Sequence, residues 1–352
     1  MTKRTILVTG GAGFVGSEFV RRAVAAGRHV ITLDALTYAG DRSTLTEVEN
    51  EPGHVFVEGS INDRALVAKL LRDHKAQAIV NFAAESHVDR SIDGPGAFIE
   101  TNINGVFELL EAARVYCATG APAEFRFLHI STDEVYGSVA EGASDEGSPM
   151  APNSPYAASK AAADHLIRAY YQTYGLPALV TRSSNNYGPY QFPEKLIPLM
   201  ILNALAGEPL PIYGDGEQVR EWIHVSDNCA AIEAVLDRGK LGEVYNIGSR
   251  AGTANIEITK RLCALIDELR PAGEPRDSLI THVQDRPGHD RRYALKNAKI
   301  VDTLGWRPKI DIADGLARTV RWYLENETWW RRIQDGSYRG ERLGLAARAA
   351  GQ

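Results

Sequence analysis

Cysteine is scarce in this chain, and the few that occur are widely separated. Cys117, Cys229 and Cys263 are the only three among 352 residues. Their odd number and spacing exclude a disulfide framework and match no zinc-ligand pattern. The nine histidines are scattered as well. We therefore predict no metal site.

The chain also lacks an excess of basic residues and a long apolar segment. Its formal net charge is −6, which gives no support to a nucleic-acid-binding surface. No apolar run approaches the roughly 20 residues that span a bilayer. The chain enters a strand pattern almost at once, without the apolar core of a signal peptide. We predict a cytoplasmic protein that binds neither nucleic acid nor membrane.

Apolar strands alternate with helices in the first half of the chain. We predict strands at residues 5–9, 29–34, 55–57, 78–82, 126–130 and 178–181, and helices at 14–26, 63–73, 97–118 and 156–174. This alternation predicts an α/β fold with a Rossmann-type doubly wound parallel sheet, covered by helices on both faces.

After Gly188 the pattern becomes irregular, and proline and glycine punctuate it. Helices are still predicted at 195–206, 227–238, 255–270 and 312–325. We interpret residues 1–188 as the sheet domain with the catalytic residues. Residues 189–335 are then mainly a smaller mixed α/β substrate-binding lobe, with some chain returning to the sheet, and 336–352 a C-terminal tail.

A glycine motif follows the first strand and opens the first helix. Gly10, Gly13 and Gly16 form Gly-x-x-Gly-x-x-Gly, and Asp34 ends the second strand 18 residues after Gly16. The glycines permit a tight turn and close approach of a pyrophosphate to the backbone, and the helix N-terminus favours phosphate. Asp34 accepts hydrogen bonds from ribose hydroxyls and repels a 2′-phosphate. The first domain is therefore predicted to bind NAD rather than NADP.

Two further segments carry groups for chemistry. Tyr156 and Lys160 lie at i and i+4 on a predicted helix, where a nearby ammonium and a positive nicotinamide would stabilise the phenolate of a catalytic base. Thr132, Asp133 and Glu134 follow a strand and place a hydroxyl beside two carboxyl groups. A charged carboxylate next to a protonated one is suited to eliminating water.

Together these segments resemble the nucleotide-sugar branch of the extended short-chain dehydrogenase/reductase family, and more narrowly the dTDP-glucose 4,6-dehydratases. The resemblance covers nearly the whole chain and includes residues 83–91, 185–196, 211–216 and 285–290. The Thr-Asp-Glu triplet is its most specific part, because related epimerases typically lack the paired acids.

The resemblance implies a redox-neutral reaction in deoxysugar biosynthesis: dTDP-glucose loses water and becomes the 4-keto-6-deoxy sugar. Tyr156 would take the C4 hydroxyl proton while a hydride passes to NAD, and Thr132 would orient the C4 oxygen. Glu134 would remove the C5 proton, Asp133 would protonate the departing C6 hydroxyl, and the hydride would return to C6.

The resemblance also implies the binding residues. The cofactor set comprises Gly10, Gly13, Phe14, Val15, Gly16, Asp34, Leu36, Thr37, Ser60, Ile61, Ala83, Ala84, Ser86, Thr101, Tyr156 and Lys160. The substrate set comprises Ser86, His87, Thr132, Asn185, Glu194, Lys195, Leu196, Pro211, Tyr213, Arg220, Asn255, Arg286 and His289. A homodimer through the helices near 97–118 and 156–174 is expected on the same ground.

The sequence departs from the family pattern at two positions, and it leaves alternatives open. Ser60 stands near the expected adenine site where the family usually has Asp, and Arg220-Glu221-Trp222 replaces the usual Arg-Asp-Trp. A dehydratase or epimerase acting on UDP-glucose or another nucleotide sugar is an alternative. A non-enzymatic NAD-binding regulator is another, although such a protein needs neither the acids nor the Tyr–Lys pair. His87 is as consistent with a structural histidine as with a ligand contact.

Overall fold

The computed structural model describes residues 4–336 and residue 343. Its strands are β1 (Thr5–Thr9), β2 (His29–Asp34), β3 (His54–Glu58), β4 (Ala78–Asn81), β5 (Arg126–Thr132), β6 (Ala178–Ser183), β7 (Asn185–Tyr187), β8 (Leu210–Tyr213), β9 (Val219–His224), β10 (Val244–Ile247), β11 (Gly252–Ala254) and β12 (Ile280–Val283).

Helices connect these strands. They are α1 (Phe14–Ala25), α2 (Arg64–Asp73), α3 (Val88–Asp93), α4 (Gly96–Ile99), α5 (Val106–Thr119), α6 (Pro155–Tyr174), α7 (Leu196–Ala206), α8 (Val225–Arg238), α9 (Asn255–Leu269), α10 (Ala298–Leu304), α11 (Ile312–Glu325) and α12 (Glu327–Gly336). A π-helical turn, Glu100–Gly105, joins α4 to α5. None of the helices in the described ranges is long and apolar enough to cross a membrane.

The main sheet is parallel and has the order β3-β2-β1-β4-β5-β6-β10. Chain order reverses at β1, because β2 and β3 lie on one side and β4 on the other. In open α/β sheets the crevice outside the carboxyl ends of the strands at such a point receives the ligand. The architecture therefore predicts where the site lies before any side chain is considered.

Helices cover both faces of this sheet. One apolar layer contains Phe19 of α1 and Ile232 of α8. The opposite layer contains Leu71 of α2, Leu110 of α5 and Ile167 of α6. Both layers bury strand side chains, which explains why the strands are apolar on two faces rather than alternating.

A second core lies beside the carboxyl edge of the sheet. It is built from α7, α9 and α11 around Ile201, Leu262 and Val320. Two small sheets line its inner side, with the orders β11-β9-β7 and β12-β8. Because β7 directly follows β6, this lobe is joined to the main sheet at the place where the crevice opens.

The α/β doubly wound fold is confirmed, and each predicted strand and helix is present. The small strands and the helices α3, α10 and α12 are additional, whereas α4, the π-helical turn and α5 together occupy the range predicted as one helix, 97–118. The strand β10, from the second half of the chain, pairs with β6 in the main sheet. The domain division at residue 188 stays a prediction. The predicted tail, 336–352, lies outside the described residues except for Gly336 and Leu343.

Candidate active site

The turn between β1 and α1 is built so that only glycine fits at its closest contacts. Gly10 has φ +70°, and a Cβ there would lie 2.5 Å from the Ala83 nitrogen. A Cβ on Gly16 would lie 2.1 Å from the Gly10 carbonyl oxygen. The turn therefore brings bare backbone and the N-terminus of α1 to the crevice, where first-turn N–H groups lack intrahelical partners.

Asp34 lies at the carboxyl end of β2, beside this turn. One carboxylate oxygen accepts from the Ala12 N–H and the other from the Leu36 N–H, both at 2.8 Å. Each oxygen can accept more than one hydrogen bond, so the carboxylate retains acceptor sites toward the cleft that it lines. Burial raises the pKa of Asp34, whereas the two N–H groups lower it.

A cleft of about 1700 Å³ runs along this edge of the sheet. Every residue of the predicted cofactor set lines it except Leu36. Leu36, with φ +48°, packs against the apolar layer beneath and contributes its N–H to Asp34. Its place in the predicted cofactor set stays a prediction. Thr101 lines the cleft from the π-helical turn, a feature frequent at functional sites.

The geometry of this cleft fits a dinucleotide. The glycine turn leaves a cradle that any Cβ would fill, and Asp34 stands at the ribose end. Ser184 Oγ and Asn228 Nδ2 line the same cleft, are buried, and have no hydrogen-bond partner among the described residues. Such buried polar atoms are costly unless a ligand or water satisfies them.

The catalytic triplet follows β5. Thr132 ends the strand and accepts from the Glu134 N–H at 3.3 Å, which begins a single helical turn over Asp133–Tyr136. This turn directs Asp133 inward, where it is 3% exposed, and leaves Glu134 half-buried. Both acids line the cofactor cleft beside Tyr156 and Lys160.

Helix α6 presents Tyr156 and Lys160 to the same cleft. Ser154 caps the helix by accepting from the Ala157 N–H, and Pro155 occupies its first turn. Tyr156 is therefore held in the first turn. Lys160, one turn later, donates to the Ile130 carbonyl at 2.7 Å and lies 3.2 Å from His129 Nε2.

The pKa shifts of Tyr156 and Lys160 differ from the expectation that a nearby ammonium stabilises the phenolate. Burial raises the pKa of Tyr156, Glu134 raises it further, and a hydrogen bond with Thr132 lowers it. Burial also lowers the pKa of Lys160 to about 8. The protein's own groups thus hold Tyr156 as a phenol, and the Lys160 ammonium alone does not offset burial.

The two acids lie in different environments. Burial raises the pKa of Asp133 well above its ordinary value, and the charges of Glu134 and Glu221 raise it further. Asp133 Oδ2 has no partner among the described residues. Burial raises the pKa of Glu134 too, but Arg286, Arg220 and Lys195 oppose that shift. Asp133 is therefore the better proton donor and Glu134 the better base.

A second cleft, of about 1240 Å³, adjoins the first. Glu134, Asn185 and Lys195 line both. All of the predicted substrate set lines this second cleft except Thr132, which lines only the first. The structure therefore places Glu134 at the junction of two adjoining binding spaces, with Asp133 beside it in the first.

Cations and neutral histidines surround the second cleft. Arg220 is buried, donates to the Asp290 carbonyl at 2.8 Å and lies over the Tyr293 ring at 4.2 Å. Burial lowers the pKa of His289 to about 4 and that of His87 to about 3. The histidines are therefore neutral near pH 7, and the positive charge comes from arginine and lysine.

Several lining residues were missed by the sequence reasoning. In the second cleft they include Asp89, Asn186, Gln191, Trp222 and Tyr293. Asp89 lies within the segment 83–91 that carries the family resemblance, so a signal was present. Tyr293 lies outside every motif, and no pattern in the sequence marked it.

Comparison with known proteins identifies the family. The model of the GDP-mannose 4,6 dehydratase family matches residues 7–319. A dTDP-glucose 4,6-dehydratase of Xanthomonas campestris pv. campestris (strain B100) is 58% identical over 346 residues, covering 97% of this chain and 99% of its own. One from Escherichia coli is 51% identical, with the same coverage. The chain belongs to the dTDP-glucose 4,6-dehydratase family.

Solved structures agree with this family assignment. The dTDP-glucose 4,6-dehydratase DesIV from Streptomyces venezuelae, with NAD and TYD bound, superposes with a TM-score of 0.87 at 50% identity, covering 94% of this chain and 99% of that chain. A UDP-glucose 4-epimerase from Thermotoga maritima, with UDP-glucose, gives 0.81 at 30% identity, covering 92% and 99%. The epimerase shares the fold at lower similarity.

The two departures from the dTDP-glucose 4,6-dehydratase pattern have distinct places in the structure. Ser60 lines the cofactor cleft, and its hydroxyl accepts from the Asn62 N–H at 3.1 Å. Glu221 lines neither cleft. Its carboxylate accepts from the N–H groups of Leu295 and Arg250, at 3.0 and 3.1 Å, and thereby ties β9 to two loops.

Replacing Asp34 tests the cofactor end of this dehydratase family member. We expect Asp34→Asn to weaken NAD binding by about tenfold to a hundredfold, because a charged acceptor is lost, and to reduce discrimination against NADP. Binding of both cofactors to the apoprotein is measured by calorimetry. Glu58→Gln is the matched control, since Glu58 pairs in register with Asp34 but is exposed. Equal NAD affinities in the parent and in Asp34→Asn would show that Asp34 is only a structural residue.

Proposed function

We infer that this protein is an NAD-dependent dTDP-glucose 4,6-dehydratase that forms the 4-keto-6-deoxy sugar and water. The observation that carries this inference is the pair Asp133 and Glu134, which lines the first cleft together with Thr132, Tyr156 and Lys160 while Glu134 also lines the second. A hydride-transfer enzyme without elimination needs only the Tyr–Lys pair, whereas elimination needs an acid and a base as well.

The cofactor binds in the first cleft, and the substrate binds in the second. The glycine turn and Asp34 hold the NAD, and when bound NAD accepts a hydride at C4 and supplies one at C6. Arg220, Arg286 and Lys195 face the diphosphate, because cationic donors pair with phosphate oxygens. Leu196, Pro211 and Tyr213 surround the base. Asn185 and Asn255 each have a buried amide oxygen without a partner in the described chain, which suits polar contacts to the nucleotide sugar.

Oxidation begins at the C4 hydroxyl. Thr132 Oγ1 orients this oxygen, and Tyr156 Oη takes its proton. Because burial raises the Tyr156 pKa, the phenolate needs more positive charge than Lys160 supplies alone. Lys160 is fixed by the Ile130 carbonyl, so its ammonium stays directed along α6 toward the reacting groups.

Elimination then uses the two acids in different protonation states. The new C4 ketone acidifies the C5 hydrogen, and Glu134 removes it. Asp133, whose pKa burial raises well above its ordinary value, donates its proton to the C6 oxygen as water leaves. The C5 proton thus goes to Glu134, and the C6 hydroxide leaves as water with the proton of Asp133. Glu134 returns its proton to C5 when the hydride enters C6. The proton that Tyr156 took from the C4 hydroxyl replaces the one that Asp133 lost, so that the net change is the loss of one water.

The proposed function is tested by parallel incubation with dTDP-glucose and UDP-glucose. We expect dTDP-glucose to give a product lighter by one water, detected by mass and by 4-keto absorbance in alkali, without added oxidant. Conversion of UDP-glucose at a similar rate would contradict the nucleotide assignment. A product of unchanged mass and altered stereochemistry would show an epimerase.

Separate replacement of the acids tests the mechanism. Glu134→Gln and Asp133→Asn should each slow dehydration by at least about a hundredfold, while oxidation at C4 persists because Tyr156 and Lys160 are intact. In deuterium oxide, Asp133→Asn should still exchange the C5 hydrogen, and Glu134→Gln should not. Wild-type exchange in Glu134→Gln would mean that another group is the base.

We also propose that the protein forms a homodimer through α4, α5 and α6. Ile99, Phe107, Val115 and Tyr174 on these helices are large apolar side chains with 39–56% exposure. Large apolar side chains that stay exposed on neighbouring helices are suited to an interface. The cytoplasmic location stays a prediction.

A charge placed on this surface tests the dimer. Val115→Glu should shift the parent's dimer mass toward the monomer in size-exclusion chromatography with light scattering, because burying an unpaired carboxylate is costly. Ala264→Glu, an equivalent change on the exposed side of α9, should leave the mass unchanged. A monomeric parent would refute the proposal directly.

A further inference from the structure

The segment Ser86–Arg90 contacts both lobes of the protein. The Ser86 carbonyl accepts from Lys195 Nζ at 2.8 Å, and Arg90 Nε donates to Glu194 Oε2 at 2.8 Å. Val88 belongs to one buried apolar cluster with Phe98 and Tyr156. The segment therefore connects the lobe that carries the nucleotide pocket to the helix that carries the catalytic tyrosine.

Asp89 is the buried centre of this segment. It is 5% exposed, and its two carboxylate oxygens have different partners in the second lobe. Oδ2 accepts from the Tyr213 hydroxyl at 2.7 Å, and Oδ1 accepts from Arg286 Nη1 at 2.9 Å. One side chain of the first lobe thus orients two residues on separate strands and loops of the second.

Both partners of Asp89 line the nucleotide-sugar cleft. Arg286 Nε is buried and has no partner in the described part of the chain. The guanidinium is therefore held through Nη1 while another donor stays available. Burial alone would raise the pKa of Asp89, but the charge of Arg286 and the hydrogen bonds from Arg286 and Tyr213 hold it below its ordinary value, so the carboxylate is charged.

We propose that Asp89 is a positioning residue for the nucleotide end of the substrate, which acts by holding Tyr213 and Arg286 in their binding orientations. The proposal rests on the function proposed above. The same contact has a second effect that acts in the opposite direction on ligand binding. A carboxylate beside Arg286 also neutralises positive charge. If cancellation dominated, removing the charge of Asp89 would strengthen the binding of an anionic ligand. If positioning dominates, removal weakens it.

The sign of the change in affinity decides between these effects. Calorimetry with dTDP on the NAD-bound protein should give a Kd for Asp89→Asn about tenfold to a hundredfold higher than the parent's, as expected for losing hydrogen bonds to a charged group. The KM for dTDP-glucose should rise in parallel, with kcat changed by less than about threefold, because uniform binding is lost. An unchanged or lower Kd would overturn the proposal.

Two further variants separate positioning from general damage. Asp93→Asn changes an exposed carboxylate of the same helix and should leave the Kd for dTDP unchanged. A Kd raised as much as in Asp89→Asn would overturn the proposal by showing a nonspecific effect of α3. Bound NAD and the thermal midpoint are recorded for each variant, and loss of NAD in Asp89→Asn would likewise contradict a role confined to the nucleotide end.

Tyr213→Phe breaks one of the two contacts and tests the proposal even if Asp89→Asn does not fold. It should weaken dTDP binding, and the double variant Asp89→Asn/Tyr213→Phe should be less impaired than the product of the single effects. Unchanged affinity in Tyr213→Phe, or independent effects in the double variant, would contradict the coupling. Failure of the parent to dehydrate dTDP-glucose would instead refute the proposed function, and the two failures are therefore distinguishable.

Discussion

The parallel pairing of β5 with β4 and β6 is the constraint on which the site depends. Because parallel strands end at one edge of a sheet, Thr132 lies opposite Ser183 of β6, and the groups that follow β4 reach the same crevice. The pairing also buries His129 of β5 between Asn81 of β4 and Lys160 of α6, with contacts of 3.0 and 3.2 Å. The sheet thereby determines the position of the Tyr156 helix relative to the paired acids.

Burial is the largest cause of the pKa shifts in this site. The positions of neighbouring charges then make the pKa values of similar groups differ. Asp133 and Glu134 are adjacent in the chain, yet a single helical turn sends one inward and leaves the other facing Arg286, Arg220 and Lys195. Carboxylates dominate the charged surroundings of Asp133, with Arg220 opposing them, whereas cations dominate those of Glu134, with Asp290 opposing them. The surroundings thus raise the pKa of Asp133 well above its ordinary value and restrain the rise of the Glu134 pKa.

The sequence predicted the parts of the site that depend on local geometry. The glycine turn, Asp34, the triplet after β5 and the Tyr–Lys pair each follow from one strand–turn–helix unit. The direction of the Leu36 side chain could not be predicted, because it depends on a positive φ in a loop, which no residue pattern marks. Asp89 lies in a segment that carries the family resemblance, but its contacts with Tyr213 and Arg286 join residues far apart in the chain and could not be predicted. The same holds for the stacking of Arg220 on Tyr293. The Tyr156 pKa could not be judged, since burial in the folded protein outweighs the nearby lysine.

The reaction removes a hydride from the sugar and later returns it. The two lobes must therefore keep the same relative position throughout. The contacts between the lobes at the cleft are polar and specific: Arg90 with Glu194, Lys195 with the Ser86 carbonyl, and Asp89 with Arg286. An apolar seam would tolerate sliding, whereas a buried charge pair loses most of its stabilisation when it is displaced. Val88 of the same segment lies in one apolar cluster with Phe98 and Tyr156, so the segment that makes the contacts between the lobes also adjoins the catalytic tyrosine. The position of the second lobe and that of Tyr156 are therefore coupled through one short stretch of chain.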